Sequence, residues 1–384
     1  MDYVSQRSLR IPRAGIRVIF DASQKYRDVI HLEIGTPDLP TPALVCEAAQ
    51  RAIRDGLTRY TANAGALALR EAIASRLSQS RNLPVSAENI VVTTGGMGAL
   101  ASAAMATLDE NDEVLVPDPG WPNYTMQALC AGATPVAYPL SNGNGFQPIV
   151  EELERRITSR TKVLIVNSPS NPIGTIHSKE TIASIVELAR RKNILIISDE
   201  VYEHIVYTDG YASYLNADSL DVVIGIYSFS KTYSMTGWRV GYLVSTPAMA
   251  AQITKLQEVF YACASSVSQE AARAALTLPA SYHAEVLSRY RGRRDSVVSA
   301  LQQRGIQHVI PEGTFYCMLG PLPSVDNSTK LALDVLDQTQ VAIAPGVTFG
   351  AQSASMLRIS FAVDEAILQE GIDRMAAFLA SYRS

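Results

Sequence analysis

Lysine is scarce in this chain. Of 33 basic residues in 384, only Lys25, Lys162, Lys179, Lys192, Lys231, Lys255 and Lys330 are lysines; the other 26 are arginines. A reaction that needs a side-chain amine therefore has seven candidates. Cysteine is scarcer still. Cys46, Cys130, Cys263 and Cys317 are widely separated, with no CxxC and no Cys/His cluster, which excludes a disulfide framework or a zinc site and leaves free thiols. The five histidines, His31, His177, His204, His283 and His308, follow no ligand spacing. There is no excess of positive charge: 37 acidic against 33 basic residues give a net charge of −4, without the basic stripe that nucleic acid requires. No apolar run is long enough to span a membrane, and the opening residues lack the apolar core of a signal peptide. These absences predict a soluble, cytoplasmic protein with neither nucleic acid nor membrane as partner. The chain does have 47% hydrophobic and 18% charged residues, a globular composition, and its length predicts about two domains.

From about Ile90 to Ser245, short Val- and Ile-rich runs alternate with longer amphipathic stretches. The runs are Ile90–Thr94, Glu113–Pro117, Val163–Asn167, Ile194–Ser198, Val222–Tyr227 and Val240–Ser245; helical segments include Gly98–Leu108, Val150–Ile157 and Lys179–Lys192. Buried strands alternating with helices predict an α/β fold with a mostly parallel central sheet. After Pro247 the texture changes. One helical stretch runs through Ala275 and a second over Ser281–Arg304. Strand-like runs follow at Thr314–Leu319, Val341–Ala344 and Met356–Phe361, and a last helix covers Asp364–Tyr382. This reads as a smaller α+β unit joined by the N-terminal Asp28–Ile34 segment. The expected division is 1–40 and 276–384 for the small domain and 41–275 for the large one.

Four stretches carry chemistry. Ser228-Phe229-Ser230-Lys231-Thr232-Tyr233 follows a strand, where α/β sheets bind ligands; its hydroxyls, with Arg239 in GWRVGY, suit phosphate oxygens, and Lys231 suits a Schiff base with an aldehyde. Ile194–Ser198 delivers Asp199 at a strand end, with Tyr202 three residues on; an acid there can keep a pyridine nitrogen protonated, or simply cap a helix. Asn167-Ser168-Pro169-Ser170-Asn171-Pro172-Ile173-Gly174 is a stiff loop able to aim the Asn171 amide, or an ordinary turn. Thr93-Thr94-Gly95-Gly96-Met97-Gly98 turns a strand into a helix and presents backbone N–H groups to an anion, without a Walker lysine. Singly, each stretch has a bland reading.

In this order and spacing, the four resemble the class I/II aminotransferases, fold type I pyridoxal-phosphate enzymes, over essentially the whole chain. Ile34-Gly35-Thr36-Pro37-Asp38, Arg59-Tyr60-Thr61, Asp118-Pro119-Gly120-Trp121-Pro122 and Leu357-Arg358-Ile359-Ser360-Phe361 agree. The resemblance implies pyridoxal 5'-phosphate as cofactor and transfer of an amino group from an L-amino acid to a 2-oxo acid through pyridoxamine phosphate. It implies that Lys231 forms the Schiff base and shuttles the proton, and that Asp199 pairs with the pyridine nitrogen. Tyr202 and Asn171 would hold the phenolic oxygen. Gly96 and Met97 would offer backbone N–H to the phosphate, helped by Ser228, Ser230 and Arg239, and Trp121 would stack on the ring. Arg358 would fork the α-carboxylate beside Gly35. Tyr60 would reach the phosphate of a neighbouring subunit, which implies a homodimer with its active sites at the interface.

One departure bears on substrate. Bacterial relatives that act on aspartate often carry a lysine in the glycine turn, where Met97 stands here. A weaker preference for aspartate is expected unless another arginine substitutes. β- or γ-elimination and amine oxidation share Lys231, Asp199 and Arg358, so the motifs leave those reactions open.

Overall fold

The Val- and Ile-rich runs form strands because β-branched side chains fit a pleated surface, and they read as continuous apolar runs because both faces of the sheet are covered. Along the chain, Ile90, Val92, Leu164, Val166, Ile196 and Val244 enter one core, while the alternating Val91, Val163, Ile165, Ile197 and Leu243 enter another on the opposite face. The computed structural model describes residues 3–322, 325 and 327–382. Its strands are β1 (Ile30–His31), β2 (Ile90–Thr93), β3 (Glu113–Asp118), β4 (Thr134–Pro139), β5 (Thr161–Asn167), β6 (Leu195–Asp199), β7 (Val223–Ser228), β8 (Gly241–Val244), β9 (Tyr316–Leu319), β10 (Val341–Ala342), β11 (Ala344–Pro345) and β12 (Leu357–Ser360).

The central sheet has seven strands in the order β2-β8-β7-β6-β5-β3-β4. Only β8 runs against its neighbours; the other pairings are parallel. The expected α/β class with a mostly parallel sheet is therefore observed. Strand β4 has no counterpart among the predicted runs. It lies at the sheet edge, is partly exposed and contains Pro135 and Pro139, and an edge is where a strand tolerates proline.

Flanking helices follow from their patterns. Lys179–Lys192 buries Ile182, Ile185, Val186 and Ala189 on one face; Ser178 caps its start by accepting from Thr181 N–H, and Asn193 ends it in the left-handed region. The helical stretch expected from Pro247 through Ala275 is two helices, Pro247–Phe260 and Ser266–Ala275. Ala262 adopts φ +59° and Ser265 caps the second helix; without glycine or proline at the break, the periodicity runs straight through it. Val341–Ala344 is likewise split, β10 pairing parallel with β1 and β11 pairing antiparallel with β12. A third core joins Ile19 and Leu32 to Val286, Phe315, Leu357, Ile372 and Leu379, so residues from both ends of the chain pack together.

Candidate active site

The carboxyl ends of three adjacent parallel strands build the site's floor. In register, Asn167 of β5 stands beside Asp199 of β6, and Ser228 ends β7. A cavity of about 600 Å³ opens above them. Gly35, Gly96, Met97, Trp121, Asn171, Asp199, Tyr202, Ser228, Ser230, Lys231, Arg239 and Arg358 all line it. Of the residues singled out in the sequence, only Tyr60 lies outside; it is 88% exposed.

Lys231 sits on a single helical turn, Phe229–Thr232, started by Ser228 Oγ accepting from Ser230 N–H at 3.1 Å. Its Nζ donates to Gly35 O at 2.7 Å and lies 5.9 and 5.6 Å from the ring centroids of Tyr202 and Phe315. Desolvation in this setting, assisted by the positive charges of Arg358 and Arg239, lowers the pKa of its ammonium, which favours the free amine.

Asp199 is 2% exposed. Its carboxylate accepts Tyr124 O–H at 2.7 Å and Val201 N–H at 3.3 Å. Asn167 Nδ2 donates to Asp199 O at 2.8 Å, while Asn167 Oδ1 accepts Asn171 N–H at 2.7 Å. Burial holds the Asp199 carboxyl up at about 6. Among the described residues it forms no ion pair, so a cationic group placed beside it in the cavity would meet a buried anion in need of one.

Arg358 is 1% exposed. It donates to Asn171 Oδ1 at 2.8 Å and to Glu33 O at 2.5 Å, and its Nε has no partner among the described residues. The Glu33 carboxylate bonds His31 Nδ1 at 2.8 Å instead of closing on the guanidinium. The Arg358 cation therefore meets only neutral acceptors and suits a carboxylate from a ligand.

At the other end, the helix Gly95–Thr107 points its N-terminus at the cavity. Gly95 has φ +77°, and a Cβ there would stand 2.8 Å from Arg239 Nη2, so only glycine lets the arginine lie over the turn. Arg239 has φ +52° and is held by Thr236 O at 2.8 Å. Backbone N–H groups, two serines and an arginine at one place suit a phosphate. The cavity thus offers a phosphate cradle, a buried acid without a cation, an amine and a carboxylate fork, and this donor set fits pyridoxal phosphate carrying an amino acid. Sequence reasoning missed Tyr124, Asn167 as a support for Asp199, Tyr316 and Arg17, which also line the cavity.

The family described as aminotransferase class I and II matches residues 27–375. The aspartate aminotransferase of Thermotoga maritima is 38% identical, covering 93% of each chain. Aromatic-amino-acid aminotransferase 2 of Thermococcus litoralis is 34% identical over 98% of each. The solved aspartate aminotransferase of Thermus thermophilus with maleate superimposes with a TM-score of 0.92 at 31% identity, covering 98% of this chain and all of that one. The chain belongs to the class I and II aminotransferases and, with them, to the pyridoxal-phosphate-dependent transaminases of fold type I.

Proposed function

We propose that the cavity moves the amino group of an L-amino acid to a 2-oxo acid with Lys231 as its working amine. The observation that carries this is the convergence of Lys231, Asp199 and Arg358 on one cavity, each short of the partner that a cofactor and amino acid would bring. Bound pyridoxal phosphate supplies the aldehyde that receives the amino group and the ring that draws electrons from Cα. Lys231 Nζ would hold the cofactor and, once freed, would take the Cα proton and return it across the nitrogen to the former aldehyde carbon, as its lowered pKa suits. Asp199 keeps the proton on the ring nitrogen. Tyr202 and Asn171 hold the ring oxygen, and Trp121 covers the ring. Gly96 and Met97 N–H, Ser228, Ser230 and Arg239 take the phosphate, and Arg358 forks the α-carboxylate beside Gly35.

The molecule works as a homodimer in which Tyr60 reaches the neighbour's phosphate. Its 88% exposure, and the exposure of the consecutive apolar residues Val259, Phe260 and Tyr261, support a covered surface. Four unpaired thiols agree with a reducing compartment such as the cytoplasm. We take 1–40 with 276–384 as the small domain and 41–275 as the large one.

Relatives named for aspartate and for aromatic amino acids leave the distal group open. Met97 offers no charge to a second carboxylate, which argues for weaker use of aspartate. Arg17, on the helix Gly15–Ser23, favours the opposite reading: it lines the same cavity and forms no ion pair among the described residues. Purified enzyme given one amino acid and no 2-oxo acid is expected to convert its cofactor once and release one oxo acid per chain. Continuous release of pyruvate and ammonia would mark elimination instead. Repeating this with aspartate and phenylalanine on Arg17→Ala separates the two substrate readings. Loss confined to aspartate assigns Arg17 to the distal carboxylate; equal rates leave Met97 as the determinant.

A further inference from the structure

Two of the site's working residues meet on a third that no sequence motif marks. Tyr316 begins β9, where Met318 faces Arg358 and Tyr316 faces Ser360 across the antiparallel pair. Tyr316 is therefore the diagonal neighbour of Arg358 on one face of the sheet. The Arg358 Cζ sits 4.1 Å from the Tyr316 ring centroid and 4.7 Å from that of Phe349, so the guanidinium packs against both rings. At its other end, the Tyr316 hydroxyl lies 3.0 Å from the Tyr202 hydroxyl. Gly35 makes room for it, since a Cβ there would stand 1.7 Å from Tyr316 Oη. Tyr316 and Tyr202 are each 3% exposed, so each hydroxyl is the other's nearest partner within the protein.

We propose that Tyr316 is a positioning residue: its ring fixes the Arg358 fork, and its hydroxyl fixes the Tyr202 phenol. When Tyr202 donates to the cofactor's ring oxygen, its own oxygen is left to accept, and Tyr316 is the donor within reach. A donor behind a donor strengthens the outer bond. The cation–ring contact likewise holds the fork in one plane before the carboxylate arrives.

This inference rests on the roles proposed above for Tyr202 and Arg358, and two substitutions at one position test it. Tyr316→Phe keeps the ring and removes the hydroxyl. It is expected to raise the pH midpoint of the bound cofactor's visible absorbance by about half a unit, with KM for the amino donor within about twofold of wild type. Tyr316→Leu removes the ring as well and is expected to raise that KM roughly tenfold. Lys231, Asp199 and Arg358 are the charged groups around Tyr202 and are unchanged in both variants. Variants that lower only the thermal midpoint, moving neither the absorbance titration nor KM, would overturn the inference. Tyr202→Phe and Arg358→Ala serve as references. If they too leave the titration and KM unmoved, the roles of Tyr202 and Arg358 are wrong; if they move them and the Tyr316 variants do not, only the role of Tyr316 is wrong.

Discussion

Asp199 shows how one residue's environment selects its task. Its carboxyl is buried, takes two neutral hydrogen bonds and is held up at about 6. A carboxylate in that state gains most from a protonated ring nitrogen, because the partner ends its isolation. Asp199→Asn keeps the shape and removes the charge. It is expected to lower turnover by on the order of 100-fold or more, while the phosphate cradle still retains the cofactor. Steady-state kinetics check this; near wild-type turnover would contradict the electron-sink role. Tyr124 bonds the Asp199 carboxylate and Asn167 its backbone carbonyl, which together orient the acid.

Elements place these residues by simple means. The ends of β5 and β6 lie in register and β7 runs two residues further to Ser228, so three polar side chains arrive at one end of the sheet without a special loop. Opposite them, Gly241 of β8 lets the glycine turn lie close. A Cβ there would stand 2.8 Å from Gly95 C, Gly96 N and Tyr227 O, all backbone atoms. Gly241→Ala is expected to cost about 1–3 kcal/mol of local packing and to weaken cofactor binding, measured by titration of the cofactor-free protein, with no site side chain altered. An unchanged Kd would show that the turn is not positioned by β8. This scale also explains what was legible in advance. Val163–Val166 and Ile196–Ile197 are buried on both faces, so they announce strands, and Asp199 and Lys231, at or just past strand ends, announce the site. Strand β4 was hidden by its prolines and exposure, and the break at Ala262 by a continuous apolar pattern. Tyr124 meets Asp199 across 75 positions and Tyr316 meets Tyr202 across 114; such bonds leave no local spacing to read.

Three histidine rings bear on the pH response of the whole molecule. Desolvation, total at His177 and joined by Arg76 at the half-buried His204 and His283, holds the three rings low, at about 3, 3 and 4. Each is neutral in the folded chain and becomes charged in the unfolded chain below its ordinary value of about 6.5. The unfolded chain thus binds more protons in the window from 6.5 down to 3–4, and stability is lost as pH falls through it. Asp199 has the opposite sign between its ordinary value and about 6, where the folded chain binds the extra proton and stability falls as pH rises. With His177 the most deeply buried of the three rings, the thermal midpoint is expected to fall as pH goes from 6.5 to 4, and His177→Gln to flatten the fall. A midpoint unchanged over that range would contradict the neutral state of these rings in the folded chain. Across the whole chain, the account's central claim is that one lysine of seven is the working amine. Borohydride reduction of the cofactor-loaded protein, followed by peptide mass analysis, tests it most directly. The account predicts one cofactor mass per chain on the peptide carrying Lys231 and none after Lys231→Ala; the mass on any of the other six lysines would contradict it.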